Sequence, residues 1–182
     1  MLNIWSVKKK QQQESAGPKT TKMTAGQLRV QKDVTELGSY DTMKAIWPVP
    51  EDLLHFNLEI RPDEGMYKGG VFKFYFDIPK NYPHEVPKVK CTQKIYHPNI
   101  DLEGNICLNI LREDWKPVLN LNSIFVGLQY LFLEPNADDP LNKEAAEVLR
   151  RNREQFIRNV LASMSGRTID GVQYDDVRDV QA

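Results

Sequence analysis

The chain has 182 residues and a mass of 21.0 kDa, which suits one domain with terminal extensions, and 41% of its residues are hydrophobic, enough for a buried core. A net charge of −1 disfavours a nucleic-acid binder, and no run of about 18 apolar residues predicts a membrane span. The two cysteines and three scattered histidines lack the paired spacing of a zinc site, so we expect no metal.

Residues 1–23 are predicted to form a disordered extension, because five lysines, one glutamate and a polar stretch leave little apolar surface to bury. Its tip nevertheless carries four apolar side chains, Leu2, Ile4, Trp5 and Val7. A linear docking motif on a basic tether is therefore the second interpretation of this segment. The apolar tip is too short for a signal peptide, and its lysines follow the apolar residues instead of preceding them. We therefore expect the protein to be located in the cytoplasm and nucleus, where thiols stay reduced.

The folded domain, residues 24–166, is predicted to begin with a helix. Thr24 and Gln27 have the spacing of a capping box, and Gly38 is a typical stop. The inner stripe of this helix is apolar: Val30, Val34 and Leu37. The remaining face is charged: Arg29, Lys32, Asp33 and Glu36. Most such faces are simply solvated, and a partner surface is the alternative.

Three runs with alternating apolar residues follow, around residues 54–60, 72–78 and 89–91. Turn residues separate the first two, which predicts antiparallel strands in a meander. Cys91 falls on the apolar side of the third run, and we expect it to be a small buried hydrophobe and not a reactive thiol.

Helices are predicted for the rest of the domain. The first has its apolar stripe at Leu121, Ile124, Phe125, Leu128, Leu131 and Phe132. Asp139 and Pro140 predict the start of the next helix, with Leu141 on its inner face, and a last helix ends at Gly166. Residues 167–182 are expected to be a frayed C-terminal tail. A helix, a block of strands and then a block of helices indicate an α+β fold.

Cys107 lies in an irregular segment that also contains His97, Pro98 and Asn99. A single thiol presented on such a segment favours covalent catalysis, because a free thiol with a pKa of about 8.5 needs only modest activation. A cysteine protease with His97 as base is the mechanistic rival. Against it, His97 is fixed before Pro98, and the local sequences of known cysteine proteases are missing. From the residues alone, a buried structural cysteine also stays open.

The motifs resemble those of the ubiquitin-conjugating enzyme family. The resemblance rests on His97-Pro98-Asn99, on Cys107 after seven intervening residues, and on Trp115-Lys116-Pro117; Tyr82-Pro83 and the segment 134–140 also match. It covers about residues 25–165, and it implies that family's fold: an N-terminal helix, a four-stranded antiparallel meander and then helices. Residues 96–118 are most similar to the branch that conjugates the Nedd/Rub modifier to cullins. Val86 departs from the family, which often has a second proline there.

The resemblance implies that Cys107 takes the modifier from its activating enzyme as a thioester and passes it to a substrate lysine, without a cofactor. Asn99 would hold the oxyanion or brace the loop that does, or it is a structural turn residue. Glu134, with Asp138 as a weaker candidate, would help the lysine lose its proton, unless these acids only cap or solvate the helix junction. The remaining motif residues are assigned to the structure of the site: His97, Pro98 and Trp115.

The resemblance also implies partner surfaces. A heterodimeric activating enzyme would contact the extension and the first helix through Leu2, Ile4, Trp5, Val7, Arg29 and Lys32. A RING ligase would contact His84, Pro117 and Val118, and an acetylated Met1 would reach a further ligase cofactor. Neither nucleic acid nor membrane is expected as a partner. Two alternatives stay open, a conjugating enzyme for ubiquitin itself and a non-catalytic binding scaffold, although scaffolds usually lack the cysteine.

Overall fold

The computed structural model describes residues 23–179, so the predicted docking extension, apart from Met23, lies outside the described residues. In chain order the elements are α1 (Ala25–Thr35), β1 (Met43–Ile46), β2 (His55–Ile60), β3 (Phe72–Asp77), β4 (Lys88–Cys91), a short 3-10 helix (Asn109–Leu111), α2 (Leu121–Leu133), α3 (Lys143–Arg151), α4 (Arg153–Met164), β5 (Thr168–Ile169) and β6 (Val172–Gln173). In this part of the chain, no helix combines the length and the apolar character needed to cross a membrane.

The first four strands form one antiparallel sheet in the order β1-β2-β3-β4, which confirms the predicted meander. The alternation in sequence found three of these strands. It missed β1, because this strand has four residues and only Met43 among them is buried. One residue in two of β2 and β3 points into the core, so Phe56 faces Phe76 across the strand pair at a ring distance of 4.6 Å.

Helix α2 covers the inner face of the sheet, and all six residues of its predicted stripe are buried. Phe125 packs edge-on against Phe76 at 5.4 Å, and Phe132 stacks on Phe72 at 4.2 Å. These aromatic contacts fix the helix against the strands, so the chain leaving its C-terminal end at Glu134 starts from a rigid position.

Helix α1 has the predicted capping box of Thr24 and Gln27, but it ends at Thr35, before Gly38. The assignment of Asp33 to the solvated face is wrong, because Asp33 is buried. Its carboxylate accepts hydrogen bonds from the hydroxyl of Tyr82 and from the backbone N–H of Leu121. Sequence periodicity could not show this, since both donors are distant in the chain. The buried acid ties α1 to the loop before β4 and to the start of α2.

The predicted helix start at Asp139 and Pro140 is also wrong. Helix α3 begins at Lys143, and Asn142 is its N-cap, accepting a hydrogen bond from the Ala145 N–H. The backbone N–H groups of Leu141 and Asn142 both donate to the Pro98 carbonyl at 3.0 Å, which holds this segment in a turn beside the His-Pro-Asn motif. Leu141 is consequently 40% exposed and does not belong to an inner helix face.

The expectation of a frayed C-terminus is wrong for residues 168–179. Strands β5 and β6 form a hairpin, and Tyr174 and Val177 beyond it are buried. Val177 also bonds through its backbone to Met164 and Val71. The acidic composition of the segment suggested a solvated tail, but buried apolar side chains and backbone hydrogen bonds to distant residues hold it on the domain.

Candidate active site

Turns hold Cys107 in place, as the sequence predicted. Its backbone N–H donates to the Asn99 carbonyl at 2.8 Å, and the Asp101 carboxylate accepts from two backbone N–H groups of the intervening loop. Gly104 has a φ of 79° and lies against β4, where a Cβ would come within 2.0 Å of the Cys91 carbonyl oxygen. Only glycine fits this position, so it locks the loop against the sheet edge.

The Cys107 thiol is half-buried between two side chains that sequence reasoning had not assigned to it. Its Sγ lies 3.2 Å from the Asp139 carbonyl oxygen and 3.6 Å from Asp139 Oδ2, and the guanidinium of Arg112 donates to it. Burial raises the pKa of the Cys107 thiol above its ordinary value, Arg112 opposes that rise and Asp139 adds to it. The thiol therefore carries its proton at neutral pH and must lose it during any reaction as a nucleophile.

Cys91 differs from Cys107 in each of these respects. It is buried at the end of β4, its S–H donates to the Gln93 carbonyl at 3.3 Å, and burial raises its pKa to about 12. The prediction that Cys91 is buried is confirmed, and Cys107 is the more accessible thiol of the pair.

His97 is part of the framework of the site. It is fully buried against Tyr67, its Nδ1 accepts the Asn99 N–H at 3.0 Å, and its Nε2–H donates to the Leu131 carbonyl at 2.9 Å. Burial lowers the pKa of His97 to about 4, so the ring is neutral at physiological pH. Because backbone groups occupy both ring nitrogens, His97 does not serve Cys107 as a base, which argues against a Cys–His protease.

Two further motif residues also make structural contacts. The Pro98 carbonyl is the acceptor that fixes the turn before α3, and the Trp115 indole N–H donates to the Pro83 carbonyl at 2.8 Å. Trp115 also packs against the Tyr82 ring at 5.9 Å. The predicted ligase-facing loop and turn are thereby held next to each other.

The side chain of Asn99 bridges the cysteine segment to the segment after α2. Its Nδ2 donates to the Asn136 carbonyl at 2.8 Å, and its Oδ1 accepts the Asn136 N–H at 2.9 Å. Asn99 is only 2% exposed, so this amide pair braces the loop that leads to Asp139. Of the roles left open for Asn99, bracing is the one this geometry supports directly.

The two predicted acids, Glu134 and Asp138, are exposed near the same segment. Glu134 is the C-cap of α2 and, within residues 23–179, its carboxylate makes no hydrogen bond or ion pair. The acid in contact with the thiol is Asp139, which the sequence had suggested as a helix cap. Among the same residues, no cluster of His, Cys, Asp and Glu side chains is arranged to hold a metal ion.

The two predicted partner faces adjoin each other. Arg29 in α1 donates to the backbone carbonyls of Pro117 and Leu119 at 3.0 and 2.6 Å, so it links the helix to the ligase-facing turn. Lys32 is exposed beside Glu36, His84 and Pro117 are exposed, and Val118 is 82% exposed. The four apolar residues of the extension lie outside the described residues.

Comparison with known proteins matches residues 29–164 to the ubiquitin-conjugating enzyme family. NEDD8-conjugating enzyme UBC12 of Yarrowia lipolytica is 61% identical over 97% of this chain and 98% of its own length, and its Schizosaccharomyces pombe counterpart is 56% identical over 97% and 99%. The solved structure of S. cerevisiae Ubc12 superposes with a TM-score of 0.82 at 42% identity, covering 97% of this chain and 98% of that one.

Proposed function

Because this chain belongs to the ubiquitin-conjugating enzyme family, we propose that it carries the ubiquitin-like modifier NEDD8, the Nedd/Rub modifier, as a thioester on Cys107 and transfers it to substrate lysines. The observation that carries this proposal is the half-buried Cys107 thiol, held between Arg112 and Asp139 on a segment that Asn99 braces. The names of the relatives support NEDD8 as the modifier.

In the charging step, Cys107 Sγ attacks the carbonyl carbon of the modifier's C-terminal glycine, which arrives as a thioester on the activating enzyme. The new C–S bond forms as the old one breaks, and the thiol proton goes to the departing sulfur of the activating enzyme. Burial keeps the free thiol protonated, and Arg112 favours the thiolate when the proton leaves.

In the discharge step, the neutral amine of a substrate lysine attacks the thioester, and Cys107 leaves as a thiolate beside Arg112. An amine with a pKa near 10.4 is mostly protonated at neutral pH, so an acceptor for its proton is required. Glu134 is our sequence-based choice for this role, and the carboxylate of Asp139 is a second choice because it lies 3.6 Å from Sγ. Asn99 holds the loop that positions these groups and, in our proposal, also supports the oxyanion.

The proposed partners follow from the same assignment. A heterodimeric activating enzyme engages the N-terminal extension and the α1 face. A RING ligase engages the exposed His84 loop and the Pro117–Val118 turn, and cullins supply the acceptor lysine. We further propose that the enzyme works in the cytoplasm and nucleus.

A panel of purified modifiers, each with its own activating enzyme and ATP, tests the proposed function. We expect a thioester with NEDD8 that a thiol reductant cleaves, an ester that resists the reductant when Cys107→Ser is used, and normal loading of Cys91→Ser. Preferential loading with ubiquitin would assign the chain to ubiquitin instead. Failure of the folded protein to load any modifier would indicate a binding scaffold.

A further inference from the structure

Arg29 lies on the helix assigned by resemblance to the activating enzyme, but its side chain directs its donors at its own domain. Its Nε–H donates to Asp33 Oδ1 at 2.8 Å, and its two Nη groups donate to the carbonyls of Pro117 and Leu119 at 3.0 and 2.6 Å. Three of the five N–H donors of the guanidinium are therefore engaged within the domain. Only 25% of the side chain is exposed, so little of it is left for a partner to contact.

Lys32, three residues further along α1, has the opposite character. Its side chain is 66% exposed, and its ion pair with Glu36 joins two exposed groups at 3.8 Å. An exposed ion pair of this kind contributes little to stability and is easily exchanged for a carboxylate of another protein. Of the two basic residues assigned to this face, Lys32 is the one available to a partner, whereas Arg29 is part of the structure of the domain.

The turn at residues 117–119, which Arg29 holds, has few other supports. The Leu119 N–H closes it by donating to the Lys116 carbonyl at 2.9 Å. In the described part of the chain, no group other than Arg29 donates to the carbonyls of Pro117 and Leu119. Val118 lies between them and is 82% exposed, so packing does not fix it. The position of Val118 therefore depends on the guanidinium of Arg29.

Asp33 in turn fixes the guanidinium. Its Oδ1 accepts the Arg29 Nε–H, and its Oδ2 accepts the Tyr82 hydroxyl and the Leu121 N–H. Both Asp33 and Tyr82 are buried, so water competes little for these bonds. The guanidinium also lies over the Tyr82 ring, 5.8 Å from its centroid, and Tyr82 begins the loop that carries His84. One buried carboxylate thus aligns Arg29 with both segments assigned to a ligase.

We propose that Arg29 and Asp33 are positioning residues for the RING ligase, and that Arg29 does not contact the activating enzyme. Arg29 presets the turn at residues 117–119 in the shape that the ligase binds, so that binding does not have to order it. The planar fork of arginine suits this role because three acceptors surround one group, whereas lysine presents the same charge on a single nitrogen. This inference rests on the proposed function, since it assumes that a RING ligase binds this turn.

The first test measures single-turnover transfer of NEDD8 from the full charged chain to a purified cullin in complex with its RING protein. Arg29→Lys and Arg29→Gln should both raise the concentration of this complex that gives the half-maximal rate by about five- to tenfold, because the ligase must then order the turn. The rate at saturating complex and the half-saturating concentration of the activating enzyme in charging should change by less than about twofold. The matched control Arg153→Lys makes the same replacement at an exposed position of α4 and should change none of these values.

Amide hydrogen exchange, followed by NMR on the full chain, tests the positioning without any partner. We expect the Leu119 amide to exchange about tenfold faster in both Arg29 variants, because the turn loses the donor to its two carbonyls. The amides of β3 should exchange at the wild-type rate, which separates local loosening of the turn from unfolding of the domain. Arg29→Lys keeps a cation beside Asp33, so it is the variant with the smaller effect on the stability of the domain.

Wild-type exchange at Leu119 in the Arg29 variants, or an unchanged half-maximal concentration of the cullin complex, would overturn the inference. Recovery by Arg29→Lys of the ligase affinity that Arg29→Gln loses would also overturn it, because a partner would then bind the charge directly. A charging defect in Arg29→Gln larger than about twofold would assign Arg29 to the activating enzyme instead. A chain that forms no NEDD8 thioester would refute the proposed function, whereas Arg29 variants that charge and transfer like the wild type would refute only the positioning role.

Discussion

Replacing Asn99 with alanine removes the amide that joins the cysteine segment to the segment after α2. Two hydrogen bonds are lost, and the N–H and carbonyl of Asn136 are left without their protein partners. An orphaned polar group costs about 1–3 kcal/mol, and Asn136 is exposed enough for water to replace part of the loss, so we expect a destabilisation of about 2–3 kcal/mol. For a chain of this size, that lowers the melting temperature by about 4–12 °C.

The same change should slow both chemical steps. Asn136 lies three residues before Asp139, so a loosened loop displaces the acid next to Cys107 in charging and in discharge alike. Thermal melting, single-turnover charging and discharge to free lysine measure the three effects. Asn99→Asp is the matched variant: it still accepts the Asn136 N–H, but it places a carboxylate oxygen against the Asn136 carbonyl instead of a donor, so it should also be less stable than the wild type.

One result would refute the bracing argument. If Asn99→Ala melts at the wild-type temperature, charges normally and loses about 10²–10³ in discharge alone, then Asn99 acts as a donor to the oxyanion and not as a brace. Its amide would then have to leave Asn136 during the reaction.

Four other predictions concern single groups. Arg112→Ala should move the alkylation profile of Cys107 to higher pH, because the guanidinium lowers the pKa of that thiol; an unmoved profile would contradict the contact. His97 has a pKa of about 4 in the folded protein and an ordinary value of 6.5 in the unfolded chain, so the unfolded state binds more protons between these pH values. The free energy of unfolding, measured with urea, should therefore fall by about 3 kcal/mol as the pH drops from 6.5 to 4. Glu134→Ala should impair discharge most at low pH, where the lysine most needs to lose a proton, and an unchanged pH profile would exclude Glu134. Deleting residues 1–23 should weaken charging by lowering the apparent affinity for the activating enzyme, and Trp5→Ala should reproduce much of that loss. Full-speed charging of the truncated chain at limiting concentration would contradict this prediction.

Local patterns predicted the elements whose stability is local or strongly periodic. The capping box of α1, the alternation in β2 and β3, and the stripe of α2 depend on residues within a few positions of each other, and the structure confirms them. Strand β1 is short and held by pairing with β2, so its sequence carries little signal. The C-terminal segment was misjudged for a similar reason: Val177 is held by bonds to Met164 and Val71, which no local pattern reveals.

In the candidate site, too, residues marked by local sequence could be predicted and residues placed by long-range contacts could not. Cys107 and the His-Pro-Asn motif could be recognised because turn residues and the resemblance mark them in the sequence. Arg112 and Asp139 could not be assigned from the sequence. Arg112 reaches the thiol only because the 3-10 helix turns the chain back toward Cys107. Asp139 reaches the thiol only because α2 and the hydrogen bonds of Asn99 bring the segment after α2 next to Cys107. The thiol's protonation state depends on these two opposing charges and on burial. The sequence therefore indicates which atom reacts, whereas the tertiary fold determines how readily that atom loses its proton.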